Sequence, residues 1–273
     1  MMRKNIFLAV ALIVSIMTCS QTGGSRTQTQ GGNQEPLEIK QSIFFADGTL
    51  DEYIISQWNS AFTRVNNQVR HSASGAMLEQ IEYNYDDKGN VTTKITRGAE
   101  SSLKNRVVYR YNPQGYLAQE ILEDNRGKIV STQEYSYDSK GNRISRVIKN
   151  GADAKLAETV YTFDSQNRVT TAGTRDSAGN VFSSTQYSYD GQGNLIRQVT
   201  LNSEGNPSTI INAVWEGGRE VKNEVLAANG AVQTRITNEY GGNGELIKKT
   251  VENVLGESKQ VTQYEYMIRP VRR

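Results

Sequence analysis

The sequence offers little with which to do chemistry. It has one Cys and one His in 273 residues. No intramolecular disulfide can therefore form, and a zinc or similar transition-metal site lacks its nitrogen and sulfur donors. A Ser/His/Asp triad would have to be built around His71, which the pattern places in a surface loop. Proline is nearly absent at 4 residues, whereas 24 Gly are spread along the chain, and only 36% of residues are hydrophobic. Many tight turns and no thick core are expected from that balance. Neither sign of charge dominates, with 31 basic against 29 acidic residues. Electrostatic capture of nucleic acid or an anionic membrane surface is thereby disfavoured.

No apolar run is long enough to span a bilayer comfortably. The longest, from Ile6 to Met17, follows Arg3 and Lys4 and has the length of a signal-peptide core. It ends in Ile16-Met17-Thr18-Cys19, which resembles a lipobox, although bacterial lipoproteins usually carry Gly, Ala or Ser where Thr18 stands. That resemblance implies cleavage before Cys19, a diacylglycerol on its thiol, and a lipid-anchored protein of the cell envelope. Its site would be the outer membrane, the periplasm or the cell surface. Residues 1–18 are then a signal peptide. Residues 19–36, rich in Gln, Thr, Gly and Ser, form a flexible tether, and residues 37–273 are one domain.

That domain is repetitive. Trp58, Tyr85, Tyr111, Tyr137, Phe163, Tyr189, Trp215, Tyr240 and Tyr266 recur at intervals of 25 to 27 residues. Gly recurs ten residues before most of these anchors and four residues after them, as at Gly127 and Gly141 around Tyr137. Between the glycines lie segments rich in Val, Ile, Thr and Tyr, of strand length and composition. Each repeat of about 26 residues thus supplies two strands. In Tyr137-Asp138-Ser139-Lys140-Gly141-Asn142, Asp suits the first turn position and Gly the left-handed one.

The turn sets the pairing. Tyr85, Tyr111, Tyr137, Phe163 and Tyr189 should face Val91, Leu117, Arg143, Val169 and Leu195. Residues two apart share a face, so Tyr83, Tyr109, Tyr135, Tyr161, Tyr187 and Tyr264 join the anchors in a double aromatic row. Farther along, Ile81 and Val107 should meet Ile95 and Ile121. The opposite face, with Arg106, Arg110, Lys94, Arg146, Gln198 and Lys249, should be wet. The fold expected is all-β: an antiparallel meander of 17 or 18 strands, curled as a spiral sheet or half-shell, with a closed barrel as the alternative. A membrane barrel is disfavoured because neither face offers an unbroken apolar band.

The segment Tyr83-Asn84-Tyr85-Asp86-Asp87-Lys88-Gly89-Asn90-Val91 and its counterpart from Tyr187 to Leu195 resemble the YD repeat of the Rhs and teneurin-like families. The resemblance covers roughly residues 75 to 266 and implies a spiralling β-shell. In large family members such shells enclose a toxin or other cargo, and the repeats have been linked to carbohydrate. The seven residues that follow Tyr266 depart from that pattern, so neither a cargo domain nor a full cocoon is expected of this sequence.

The expected function is a non-enzymatic lipoprotein that presents a repetitive β-sheet to a protein or glycan. The alternatives are a scaffolding component of the envelope and a small shell or carrier for an apolar or polypeptide cargo. The candidate ligand surface is Tyr83, Tyr85, Tyr109, Tyr111, Tyr135, Tyr137, Tyr161, Tyr187 and Tyr189. No cofactor, metal or catalytic residue is expected, and the recurring Asp residues read as turn formers.

Overall fold

The computed structural model describes residues 34–270. The expected signal peptide and Cys19 lie outside the described residues. The first strand opens at Gln34, three residues inside the segment assigned to the tether.

Eighteen antiparallel strands follow one another along the chain. They are β1 (Gln34–Phe45), β2 (Leu50–Trp58), β3 (Val65–Ser72), β4 (Met77–Tyr85), β5 (Val91–Gly98), β6 (Leu103–Tyr111), β7 (Leu117–Asp124), β8 (Ile129–Tyr137) and β9 (Arg143–Asn150) in the first half. The second half holds β10 (Lys155–Phe163), β11 (Val169–Asp176), β12 (Val181–Tyr189), β13 (Leu195–Asn202), β14 (Pro207–Glu216), β15 (Arg219–Ala227), β16 (Val232–Tyr240), β17 (Leu246–Asn253) and β18 (Ser258–Pro270). Each strand pairs with the next, and β1 pairs with both β2 and β18. The sheet therefore closes into a barrel rather than stopping as a half-shell. Closure follows from β1, which precedes the first aromatic anchor and supplies the partner that β18 would otherwise lack; it removes both sheet edges.

The turns after the anchors form as their residues dictate. Asp138 Oδ1 accepts from the backbone N–H of Asn142 at 2.8 Å and of Lys140 at 2.9 Å. Gly141 takes φ 85°. Asp86, Asp164 and Asp190 accept from Asn90, Arg168 and Asn194 in the same way. Side-chain bonds from Asn90, Asn142 and Asn194, with these backbone bonds, hold the carboxyls of Asp86, Asp138 and Asp190 below their ordinary value, and the backbone bond from Arg168 does so for Asp164. The recurrent Asp is a structural residue of the turn.

The first pair beyond each turn is the expected one: Tyr85 faces Val91, Tyr111 faces Leu117, Tyr137 faces Arg143, Phe163 faces Val169 and Tyr189 faces Leu195. The next pair is not, because the register shifts by one residue immediately afterwards. Asn84 faces Thr93, leaving Thr92 as an extra residue, a β-bulge. Ile81 consequently meets Thr96, and Val107 meets Leu122, instead of Ile95 and Ile121. A one-residue slip exchanges the faces of everything beyond it. Lys94, Arg146 and Gln198, expected on the wet face, stand beside Tyr83, Tyr135 and Tyr187 on the tyrosine face. Lys249 stands beside Asn238 on that same face.

The tyrosine face is the concave one. Exposed strand residues such as Asn84, Arg106, Arg110, Ser136, Thr162, Ser188 and Glu239 lie on the opposite face, whereas the tyrosines and their cross-strand neighbours are half-buried. The convex face carries cross-strand ion pairs, including Arg97–Glu82, Arg106–Glu123, Lys149–Glu134 and Arg235–Glu252. Between β4 and β9 these rows interrupt the outer face, whereas β10 and β14 expose Val160 and Val214 on it. His71, expected in a loop, lies in β3 on this convex face and stacks on Tyr53 with ring centroids 4.9 Å apart.

Eighteen strands about 4.8 Å apart, tilted by roughly 40°, give a round barrel a backbone radius of about 18 Å. Side chains do not fill such an interior. Among the described residues no large side chain is fully buried, and the buried hydrophobic set comprises Leu37, Ile121, Ala172, Val225 and Ile236. Stability comes mainly from the hydrogen-bonded ladder and from cross-strand neighbours.

Candidate functional site

The nine tyrosines expected to form a ligand surface separate into two rows with different duties. In the anchor row the ring reaches across a strand to a carbonyl twenty residues earlier. Tyr85 donates to Val65 O at 2.7 Å, Tyr111 to Val91 O at 2.9 Å, Tyr137 to Leu117 O at 2.8 Å and Tyr189 to Val169 O at 2.9 Å. Tyr240 and Tyr266 do the same to Glu220 O and Leu246 O. The indole N–H groups of Trp58 and Trp215 replace the hydroxyl, donating to Glu38 O and Leu195 O. Trp thus substitutes for Tyr because it too ends in a donor. Phe163 has no such donor.

A second device covers the anchor rings at the rim. From Tyr85 onward, the residue 21 positions before the anchor alternates between a flat, large side chain and an Asn or Glu. Arg64 lies over the Tyr85 ring at 5.3 Å, Arg168 over Tyr189 at 4.7 Å and Arg219 over Tyr240 at 5.7 Å. Tyr116 stacks on Tyr137 at 4.9 Å. These plates also press on the turn glycine of the following repeat: a Cβ at Gly89 would lie 2.8 Å from Arg64, and one at Gly141 would strike Tyr116. In the intervening repeats, Asn90, Asn142 and Asn194 instead bond to their own turn Asp. Where Asn90 replaces a plate, a cleft of about 610 Å³ opens beside Tyr111, lined also by Asp86, Tyr109 and Asn112. The true period of the rim is two repeats. Arg64, Tyr116, Arg168 and Arg219, spaced by 52, 52 and 51 residues, carry that signal in the sequence.

The inner row sits two residues before the anchors, on the interior wall. Burial pushes the hydroxyls of Tyr109 and Tyr187 up to about 12. It raises Tyr83 and Tyr135 as well. Tyr83 donates to Gln68 Oε1 at 3.1 Å. Tyr161 lies opposite Ala172. Charged and amide groups alternate with these rings because of the bulges. Lys94 follows Tyr83, Glu120 faces Tyr109, and Arg146 faces Tyr135. One layer deeper, threonines pair across strands, Thr159 with Thr174 at 3.1 Å and Thr185 with Thr200 at 3.2 Å. The wall is amphipathic: aromatic bodies with hydroxyl, amide and guanidinium tips.

Sequence reasoning placed the tyrosines on one face and missed the charged residues among them. It also missed the cross-strand hydroxyl bond and the rim plates. Among the described residues no group of three or more His, Cys, Asp or Glu is placed to hold a metal ion.

No curated protein matches the chain. Among solved structures, the complex titled TcdB2-TccC3-Cdc42 is 13% identical with a TM-score of 0.37, the match covering 81% of this chain and 16% of that one. A porin-like protein from Bacteroides uniformis is 12% identical with a TM-score of 0.30, over 84% of this chain and 98% of that one. Residues 63–213 match the family model described as Teneurin YD-shell. That match spans more than half of the sequence and covers repeats whose turns and anchors are described above: the chain belongs to the Teneurin YD-shell family.

Proposed function

We propose that this protein is a non-enzymatic carrier, a small closed β-shell whose interior wall holds a ligand, tethered to the cell envelope through a lipid on Cys19. The observation that carries this reading is the direction of the inner tyrosine row. Tyr83, Tyr109, Tyr135 and Tyr187 are half-buried on the concave face, with hydroxyls that burial keeps protonated. A surface built to meet a partner from outside would carry its aromatics on the convex face, and between β4 and β9 that face is instead laced with ion pairs. The anchor row, with its hydroxyls bound to backbone, belongs to the scaffold; the inner row is the part of the candidate surface available to a ligand.

The test compares interior with exterior. A Tyr109→Phe, Tyr135→Phe, Tyr187→Phe triple variant should lose glycan-array or pull-down binding while keeping its circular dichroism. An Arg106→Ala, Arg110→Ala variant should keep binding. The reverse pattern removes the carrier reading and returns function to the outer surface. Palmitate incorporation that disappears in Cys19→Ser supports the anchor; incorporation unchanged in that variant rules it out.

A further inference from the structure

One repeat departs from the rules that the others keep. The position that faces the anchor across the hairpin is aliphatic at Val65, Val91, Leu117, Val169, Leu195 and Leu246, but it is Arg143 on β9. The anchor whose ring belongs over that strand is Phe163, without a hydroxyl. Its turn then uses Asn167, at φ 60°, in the place of Gly. Three departures in one repeat of a regular array are not explained by folding, which the other repeats accomplish without them. Glu220 and Glu38 are the other polar residues that face an anchor, and Tyr240 and Trp58 bind their carbonyls in the ordinary way.

The same strand places Arg146 on the interior wall between Tyr135 and Thr159. Its Nε is buried and has no hydrogen-bond partner. Arg70, which also points inward, closes on Glu52 at 2.8 Å. From β8 to β14 the concave residues are otherwise Tyr, Thr, Ser, Gln, Asn and apolar ones, apart from Asp176, which is engaged in its own turn with Ala178 and Asn180; on the neighbouring β7 the interior carboxylate of Glu120 accepts from Gln133 and acts on Tyr135. The two arginines are close together: both act electrostatically on Tyr135, and Arg146 also acts on Tyr187 of β12. Arg143 lies over the Tyr135 ring at 4.3 Å. A buried polar donor left over by the protein is a place where a ligand atom belongs.

We infer that Arg146 and Arg143 on β9, flanked by Tyr135, Tyr161 and Tyr187, form an interior site for an organic anion. The Arg146 guanidinium takes its carboxylate or phosphate, Arg143 adds positive charge beside it, and the rings flank its body. Paired guanidinium forks suit a planar or tetrahedral oxyanion, and half-buried charge-assisted bonds are strong. This inference rests on the carrier reading and narrows it to a class of ligand.

The full chain should be titrated by calorimetry at low salt with a glucuronate-containing disaccharide, with inorganic phosphate and with a neutral disaccharide. Heat from the uronate or from phosphate, and not from the neutral sugar, is expected; which of the two responds identifies the source of the oxyanion. The variants Arg143→Leu and Arg146→Gln borrow residues that sister repeats carry at the same register, Leu117 and Gln198, and should fold. Each should weaken anion binding by about tenfold or more. Should either variant fail to fold, protection of Arg143 and Arg146 from phenylglyoxal by the bound anion in the wild-type chain gives the same answer. Absence of anion binding, or binding that survives both variants unchanged, overturns the site. Equal binding of the neutral sugar that depends on the tyrosines overturns the site but leaves the carrier standing.

Discussion

The hydroxyl of Tyr137 donates to the carbonyl oxygen of Leu117, twenty residues earlier, at 2.8 Å. Leu117 is also the residue that faces the previous anchor, Tyr111. Each tyrosine anchor therefore packs on one repeat through its ring and ties to the one before it through its hydroxyl, so the array is stitched at the spacing of one hairpin. In a protein without a close-packed core, this contact carries stability that apolar burial elsewhere would supply.

Replacing Tyr137 with Phe removes the bond and keeps the ring. The expected loss is about 1 kcal/mol of unfolding free energy, the net worth of one half-buried hydrogen bond. Urea denaturation should show a lower midpoint with an unchanged slope. The same change at Tyr111 and Tyr189 should add to it, because these sites lie in separate repeats. A midpoint that does not move would make the hydroxyl incidental.

The two-repeat period of the rim predicts unequal glycines. Gly115 and Gly141 have nearly the same φ, 87° and 85°, so Ala strains both by about 1 kcal/mol. A Cβ at Gly115 meets nothing, whereas one at Gly141 strikes Tyr116. Gly141→Ala should therefore be the more destabilising, and adding Tyr116→Ala should change its cost less than the separate effects sum to. Equal melting temperatures for the two glycine variants would contradict the plate.

Alkaline pH should open the barrel. The tyrosines at 109, 187 and 264 ionise near 10 when unfolded and at about 12 in the fold, chiefly because burial disfavours the phenolate. The folded state thus holds the proton more tightly. Their contribution is fully present below pH 10 and is lost as pH rises from 10 through 12. Tyrosinate absorbance should rise in step with loss of circular dichroism over that window. A single ordinary titration, complete while the fold persists, would place these rings in water.

Acid acts on the turns in the opposite sense. Asp86, Asp138 and Asp190 titrate below 3.8 because side-chain bonds from Asn90, Asn142 and Asn194 stabilise the carboxylates. Their contribution is present above pH 3.8 and fades as pH falls through the folded values. Asp138→Asn should flatten this acid limb slightly, and a variant lacking all three carboxylates should flatten it clearly.

What the sequence revealed and what it concealed have separate physical causes. Strands, turns and the first cross-strand pair follow from local chemistry: Asp138 and Gly141 fix the hairpin, and Tyr137 then meets Arg143. The bulge that follows has no residue of its own. Thr92, Ile144 and Ile196, the extra residues, are β-branched like ordinary strand residues, so the slip that carries Lys94, Arg146 and Gln198 to the interior could not be read. Closure was equally hidden, because β1 lies before the first anchor and its pairing with β18 joins residues more than 200 positions apart. The plates were legible, since Arg64, Tyr116 and Arg168 recur at twice the repeat, a period that a search for single repeats passes over.

Closure decides whether the tyrosines have an interior to face, and one pair of residues tests it. Lys40 on β1 lies opposite Glu265 on β18, with Nζ and Oε1 2.7 Å apart. In a Cys19→Ser background, the variant Lys40→Cys, Glu265→Cys should form an intramolecular disulfide under mild oxidation, seen as a monomer with two fewer hydrogens by mass spectrometry. Free thiols, or disulfide-linked dimers in place of the closed monomer, would mean that β1 and β18 do not meet and that the barrel is an open sheet.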